Sequence, residues 1–422
     1  MSLFESANQV LSNYMIVFFV AFAISFVTTP LMRLLAVRHG IVDWPDLRRK
    51  SHIEPVAYLG GVALFLGWTG AVAVCYFIEA HGELGKIDMT RLLSIAFGAA
   101  CITITGLFDD VYGISPRVKV GGQFLAAGGL AYGSQNLGMM VATNAFGAAG
   151  LSLEPTIGYI IGAALIGLFV LGGCNSVNLL DGLDGLAGGV MMIACLGFLA
   201  ISVIVAAEKP TVTDPVRLVM CLALLGALLG FLPYNFNPAN IFLGDAGSML
   251  LGYLCVSAIL LFADRPRQGP MLVMAALIVI ALPITDTALA IFRRKMRGKP
   301  LFAPDDQHVH HQLLRVMNNR GVSKTTSVKL AVLVMYLLAL IFALLGCALV
   351  FLRWRFVMAV FFPLFGFIVV SAYKVGHRQS LRPTQSAPAI GDGLTSTSPT
   401  KQSHGVATSD SIAVHDSDSN AP

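Results

Sequence analysis

Long apolar runs separated by short polar loops recur from about residue 14 to residue 373. A run of about 20 apolar residues crosses the hydrocarbon core of a bilayer as a helix. Inside that core every unpaired backbone group is costly, so only helices or a closed barrel remain. The runs show no alternation of period two, which removes the barrel. The chain therefore reads as an all-α, polytopic membrane helix bundle. Eleven spans are expected, near 14–37, 59–78, 90–108, 119–137, 157–174, 186–207, 216–233, 247–263, 270–292, 327–350 and 355–373. The fourth is the weakest, because glycine and polar residues interrupt it. Composition agrees: 56% of residues are hydrophobic and 12% charged, against about a quarter charged in soluble domains.

Lys and Arg set the expected orientation. They crowd the loop after span one (Arg38, Arg48, Arg49, Lys50) and the loop after span nine (Arg293, Arg294, Lys295, Arg297, Lys299). The even-numbered exits are poorer in them. The positive-inside rule puts the odd-numbered exits in the cytoplasm, with the N-terminus outside and the C-terminus inside. A net charge of +5 concentrated in loops suits topology and anionic ligands, and no nucleic-acid partner is expected. The seven cysteines lie in or at the ends of apolar runs without a CxxC pair, and read as small apolar filler. Residues 1–375 form the expected membrane-embedded domain. Residues 376–422, rich in Ser, Thr, Pro and Asp, read as a disordered cytoplasmic tail.

Polar residues gather at the odd-numbered exits. After span three comes Asp109-Asp110, two carboxylates that repel each other unless a cation or proton intervenes. Two cations, Arg117 and Lys119, follow and suit a phosphate. After span five comes Asn175-Ser-Val-Asn-Leu-Leu-Asp-Gly-Leu-Asp-Gly-Leu-Ala-Gly-Gly189. Its amides, carboxylates and glycines must face water, a metal or a ligand. After span seven, Asn235 to Ser248 holds Asp245 between Gly244 and Gly247. There Asp245 serves as a ligand residue or as a cap on the helix that follows. After span nine stand His308, His310 and His311, readable as phosphate donors, as a zinc site or as a hydrated turn. Within span nine, Asp286 is either functional or the partner of a cation such as Arg293. Four clusters on one face point to one shared cytoplasmic site.

These residues resemble one family, the polyprenyl-phosphate N-acetylhexosamine-1-phosphate transferases. The resemblance covers about residues 14–330. It rests on Asp109-Asp110, on Asn175, Asn178, Asp181 and Asp184, on Phe242-Leu-Gly-Asp245-Ala-Gly-Ser248, on His308-Val-His310-His311, and on Arg49-Lys50-Ser-His52 running to Gly60-Gly61. The His motif and the eleventh span are similar to the branch that uses UDP-N-acetylglucosamine (UDP-GlcNAc) rather than UDP-muramoyl-pentapeptide. Pro55-Val-Ala57 and Asp306 depart from the family's usual residues and bear on sugar choice.

The resemblance implies a reaction and a set of roles. N-acetylglucosamine-1-phosphate passes from UDP-GlcNAc to undecaprenyl phosphate, releasing UMP and starting a surface glycan. Mg²⁺, or Mn²⁺, is the implied cofactor, on Asp245 with Asn178 or Asp181. Asp109 and Asp110 are implied to position or deprotonate the lipid phosphate, or to hold metal. Gly182, Leu183, Asp184, Asn235 and Phe242 are implied for the nucleotide. His308, His310, His311, Arg293, Arg294, Lys50 and His52 are implied for the diphosphate and sugar, with His308 also catalytic. The expected setting is the bacterial inner membrane, and the resemblance admits a homodimer. The rival from another class is an ion-coupled transporter built around Asp286.

Overall fold

A computed structural model describes residues 11–44, 55–80, 87–133, 137–147, 154–208, 214–264, 268–296, 298 and 307–380. Among the described residues the helices are α1 (Met15–Arg38), α2 (Gly60–Ala80), α3 (Met89–Tyr112), α4 (Pro116–Gly133), α5 (Leu137–Gly147), α6 (Pro155–Leu180) and α7 (Leu186–Glu208). They continue with α8 (Pro215–Asn235), α9 (Gly244–Leu261), α10 (Gly269–Val279), α11 (Ala281–Met296), α12 (Val309–Asn318), α13 (Lys324–Phe351) and α14 (Trp354–Ser380). Two short strands, β1 (Val42–Asp43) and β2 (Val56–Ala57), pair antiparallel. The all-α membrane architecture stands.

Local chemistry sets where the helices begin and stop. The side chains of Asp88, Glu154, Asp214 and Ser323 accept from backbone N–H groups of the first turns of α3, α6, α8 and α13. These are the donors a helix start leaves unpaired. Pro155 and Pro215 open α6 and α8, where a missing N–H costs nothing. Gly113, at φ 65°, closes α3 in the left-handed conformation.

The span count differs from eleven. Among the described residues eight helices are long and apolar enough to cross a membrane: α1, α2, α3, α6, α7, α8, α9 and α13. A ninth counts if α10 and α11, bent by 73° at their junction, form one broken span. The expected fourth span is helical as α4, but Arg117, Lys119, Gln123 and its glycines make it too polar to pass. The apolar part of α14 is the short stretch Trp354–Val370. The chain divides into two units, residues 1–379 and 380–422. The stretch read as a tail begins inside the last turns of α14, and everything after Ser380 lies outside the described residues.

α9 is the central helix. Every residue from Ala246 to Leu261 is buried, which is what a helix apolar on all sides requires. Close approach there depends on glycine. A Cβ on Gly61 would lie 2.1 Å from the Gly247 nitrogen, one on Gly106 2.4 Å from Ala246 Cα, and one on Gly252 2.5 Å from the Gly173 oxygen. Such small-residue crossings bring α2, α3 and α6 onto α9. Phe19, Phe22 and Phe26 on α1 and Leu333, Leu337 and Leu344 on α13 are exposed, as lipid-facing helix surfaces are.

The first loop is stapled to the α8–α9 loop. Phe242 donates its N–H to the Ala57 carbonyl (2.8 Å), while Gly60 and Gly61 donate to the Phe242 and Leu243 carbonyls (3.1 and 2.9 Å). Residues 45–54, which include Lys50 and His52, lie outside the described residues.

Candidate active site

Four helix ends meet at one end of the bundle. The last turn of α3 supplies Asp109 and Asp110, the first turn of α4 supplies Lys119, the last turn of α6 supplies Asn178, and the first turn of α9 supplies Asp245 and Ser248. The Lys119 ammonium lies between two carboxylates, 2.8 Å from Asp109 Oδ2 and in contact with Asp245 Oδ2. Asn178 donates its amide to Asp245 Oδ1 at 2.6 Å and to Ser248 Oγ at 2.9 Å. One layer further in, Asn175 donates to Gln123 Oε1 at 3.1 Å, which ties α6 to α4.

Asp110 is occupied differently from its neighbour. Its two oxygens accept the backbone N–H groups of Asp245 (2.7 Å) and Ala246 (3.1 Å). It therefore caps the positive end of α9 from another helix. Gly244 makes this approach feasible: its φ is +70°, and a Cβ there would sit 2.6 Å from an Asp110 oxygen. The adjacent carboxylates expected to repel are thus separated by task. Asp109 faces a cation and Asp110 faces a helix dipole.

Asp181 and Gly182 follow directly from α6. Burial pushes the Asp181 carboxyl up to about 8, and the negative charges of Asp245, Asp110 and Asp184 add to the shift. Gly182 leads to the second cluster, since a Cβ on it would stand 2.4 Å from His310 Nε2. His310 is fully buried, and neither of its ring nitrogens has a partner among the described residues. Burial, and after it the charge of His311, push its imidazole down to about 3. The ring lies parallel to His308 (5.7 Å, 10°) and 4.2 Å from His311. Arg293 and Arg294 are buried on α11.

The residues read for the nucleotide are not gathered in one place by their contacts. Asp184 accepts from Asn237 Nδ2 (2.8 Å) and Ala239 N (3.1 Å), which latches the α8–α9 loop. Asn235 donates to the Ile241 carbonyl at 2.9 Å. Leu183 is buried in the core. Phe242 is half-buried, with its ring 6.1 Å from Tyr58. Lys119, expected only to suit a phosphate, and Ser248, given no role of its own, both join the carboxylate cluster. The signal for Lys119 was its nearness to the Asp pair; the signal for Ser248 was its position one helical turn after Asp245.

The donor set decides which cation fits. Around Lys119 stand hard oxygens: two carboxylates, and an amide whose oxygen a rotation of Asn178 would present. Among the described residues no three His, Cys, Asp or Glu side chains come together as a metal-holding group. The arrangement matches Mg²⁺, which is held by one or two carboxylates together with substrate phosphates. It does not match a closed zinc site. His308 Nδ1 is moreover already engaged by Asp286 at 2.9 Å.

Comparison with known proteins gives the same direction. The model of glycosyl transferase family 4 matches residues 92–263, from α3 through the end of α9. A Bacillus subtilis protein described as a probable undecaprenyl-phosphate N-acetylglucosaminyl 1-phosphate transferase is 33% identical over 338 residues, covering 79% of this chain and 85% of the relative. A Mycobacterium tuberculosis decaprenyl-phosphate N-acetylglucosaminephosphotransferase is 33% identical over 327 residues, covering 74% of this chain and 78% of the relative. An Escherichia coli K12 undecaprenyl-phosphate alpha-N-acetylglucosaminyl 1-phosphate transferase is 30% identical over 297 residues, or 67% and 71% of the two chains.

Proposed function

From the chain's membership of the polyprenyl-phosphate N-acetylhexosamine-1-phosphate transferase family, we propose that it transfers N-acetylglucosamine-1-phosphate from UDP-GlcNAc to undecaprenyl phosphate at the cytoplasmic face of a bacterial inner membrane. The product is GlcNAc-diphosphate-undecaprenol, UMP leaves, and a surface glycan is begun. The observation that carries this reading is the meeting of Asp109, Lys119, Asn178 and Asp245 at one end of the bundle. That end combines fixed anionic and cationic groups with the bilayer, where a lipid phosphate and a soluble nucleotide have to meet. A transporter would place its ion site near the midplane of broken helices, whereas these groups cap whole ones.

In the reaction an oxygen of the lipid phosphate attacks the phosphorus that bears the sugar. The bond from that phosphorus to the bridging oxygen breaks, and UMP keeps the bridging oxygen and the electron pair. Asp245 with Asn178 or Asp181 would hold Mg²⁺, which when bound would supply charge neutralisation for two anionic reactants. Asp109 orients the acceptor phosphate beside that centre. Lys119 leaves its two carboxylates for a phosphate oxygen and steadies charge on the leaving group. His308, His310 and His311, with Arg293 and Arg294, line the donor diphosphate and sugar. Of the residues the family's pattern implies for the uridine, exposed Gly182 and half-buried Phe242 are the ones to contact it, while Leu183, Asp184 and Asn235 support the core and the α8–α9 loop beside it; Lys50 and His52 keep the diphosphate role that the family's pattern implies. The lipid phosphate is already ionised near neutral pH, so positioning outweighs base catalysis, and direct attack is favoured over a phosphoryl-enzyme.

The test uses the purified chain in lipid nanodiscs with radiolabelled UDP-GlcNAc, undecaprenyl phosphate and Mg²⁺. Label should move to the lipid with equal release of UMP, and chelation should stop it. If label moves only from UDP-muramoyl-pentapeptide, or UDP-GlcNAc is hydrolysed without lipid product, the donor assignment fails.

A further inference from the structure

Asp286 lies in α11, only 2% exposed, and the start of α12 engages both of its oxygens. Oδ2 is 2.9 Å from His308 Nδ1, and Oδ1 accepts the Val309 N–H at 3.0 Å. Burying a carboxylate is costly and is offset only by such contacts. Here one contact is with the backbone and the other with one nitrogen, Nδ1, of the His308 ring. An ionised carboxylate can only accept, so Nδ1 of His308 carries a hydrogen and Nε2 becomes the ring's working nitrogen. The ring plane is fixed as well, because His308 lies parallel to the buried His310, which in turn stands against Gly182. From Gly182 the chain leads back through Asp181 to Asn178 and the carboxylate cluster.

We propose that Asp286 is a positioning residue: it holds His308 in one tautomer and one ring plane so that Nε2 addresses the donor diphosphate in the transition state. This rests on the transferase reading above. It differs from a plain helix cap, which would need only the Val309 N–H.

The backbone and ring contacts can be separated. Val309→Pro removes the capped N–H. His308 already has φ −61° and ψ 152°, the conformation a residue before proline prefers, and proline is accepted at the first helical position. This variant should keep kcat within about threefold of the parent, while Asp286→Asn, an amide that still caps, should lower kcat by about tenfold or more. KM for UDP-GlcNAc should then move by less than about threefold, the pattern of an interaction made in the transition state. His308→Asn keeps a group at the Nδ1 position and discards Nε2. It should fold with the parent's Tm and lose kcat at least as strongly, and it keeps the proposal open to refutation even where Asp286→Asn does not assemble. In the His308→Asn background, adding Asp286→Asn should cost nothing further.

The inference is overturned if Asp286→Asn turns over like the parent, if Val309→Pro loses as much as Asp286→Asn, or if His308→Asn stays active. Equal losses from Asp286→Asn with and without His308 would also overturn it. The unsubstituted chain is assayed first: absence of lipid product from UDP-GlcNAc strikes the donor assignment, and the Asp286 comparison is then made with the UDP-sugar that is turned over.

Discussion

At the scale of single residues, the central fact is a lysine doing a cation's work. Lys119 holds Asp109 and Asp245 together, and both carboxylates lose their shared counter-charge if it is removed. Lys119→Met should therefore lower turnover by about 10²-fold, as the loss of one fixed charge-stabilising donor does. It should also make the site take up divalent cation more readily. The rise in Tm on adding Mg²⁺ should be larger in Lys119→Met than in the parent, by the linkage that lets any ligand of the native state stabilise it. Equal rises would mean that the ammonium and the metal do not share a seat. In the sequence Asp109 stood out as one of two adjacent carboxylates with cations just beyond, Asn178 as an amide between two apolar runs, and Asp245 as a carboxylate between two glycines that could also be a helix cap. Sequence alone could not separate Asp109 from Asp110, because the difference lies in backbone N–H groups 135 and 136 residues away.

A second residue-level consequence concerns acid. In an unfolded chain an imidazole takes up its proton near pH 6.5. Burial holds His310 at about 3. Between those values the unfolded chain binds the extra proton, so the contribution of His310 to stability is complete above about pH 6.5 and drains away as pH falls towards 3. His310→Gln should flatten the decline of Tm between pH 7 and pH 5. An unchanged slope would show that His310 finds a proton partner in the native state.

At the scale of helices, the crossings at α9 are what bring the carboxylates together. Gly106→Ala would set a Cβ 2.4 Å from Ala246 Cα, one turn before Asp109 and Asp110. The expected cost is ~1–3 kcal/mol of overpacking, with a fall in activity as Asp110 is lifted from the start of α9. Gly121→Ala on α4 is the control, since nothing lies within 4 Å of a Cβ there. It should be neutral or stabilising by ~0.5–1 kcal/mol, the ordinary gain of alanine over glycine in a helix. If both variants shift Tm alike, close approach at Gly106 is not what sets the crossing. The positions of the helices were readable from apolar length, and each of the eleven expected runs falls on helix among the described residues, though only eight or nine have the length and apolarity of a span. The break between α10 and α11 was not, because Pro283 lies inside α11 and the bend falls at Ile280, where no residue type announces it. α5 and α12 were missed too, being short helices whose apolar residues are too few to read as spans.

At the scale of the whole molecule, the two ends of the bundle are chemically unlike. One end carries Asp109, Lys119, Asn178 and Asp245. The other carries Arg217, a buried cation that donates to Ser202 Oγ (2.8 Å) and to the Leu261 carbonyl (3.2 Å) and lies 4.1 Å over the Phe262 ring. Arg217 satisfies the end of α9, and among the described residues the cluster of Asp109, Lys119, Asn178 and Asp245 lies at the first end. The proposed cytoplasmic placement of that end rests on the positive-inside rule, and helix length makes it testable. α3 has 24 residues, or about 36 Å at the rise of an α-helix, enough to cross a hydrocarbon core of about 30 Å. Thr90 at its start and Ser115 just beyond its end are both exposed. Native cysteines give little background, since five of the seven are buried and two partly so. In intact cells a membrane-impermeant maleimide should label Thr90→Cys and spare Ser115→Cys, and in inverted membrane vesicles the pattern should reverse. Labelling of both from the same side would mean that α3 does not cross, and the carboxylates could not then meet a cytoplasmic nucleotide at its end. Labelling of Ser115→Cys from outside would keep the crossing but put the site on the face away from the UDP-sugar pool, which no arrangement of these side chains could make productive.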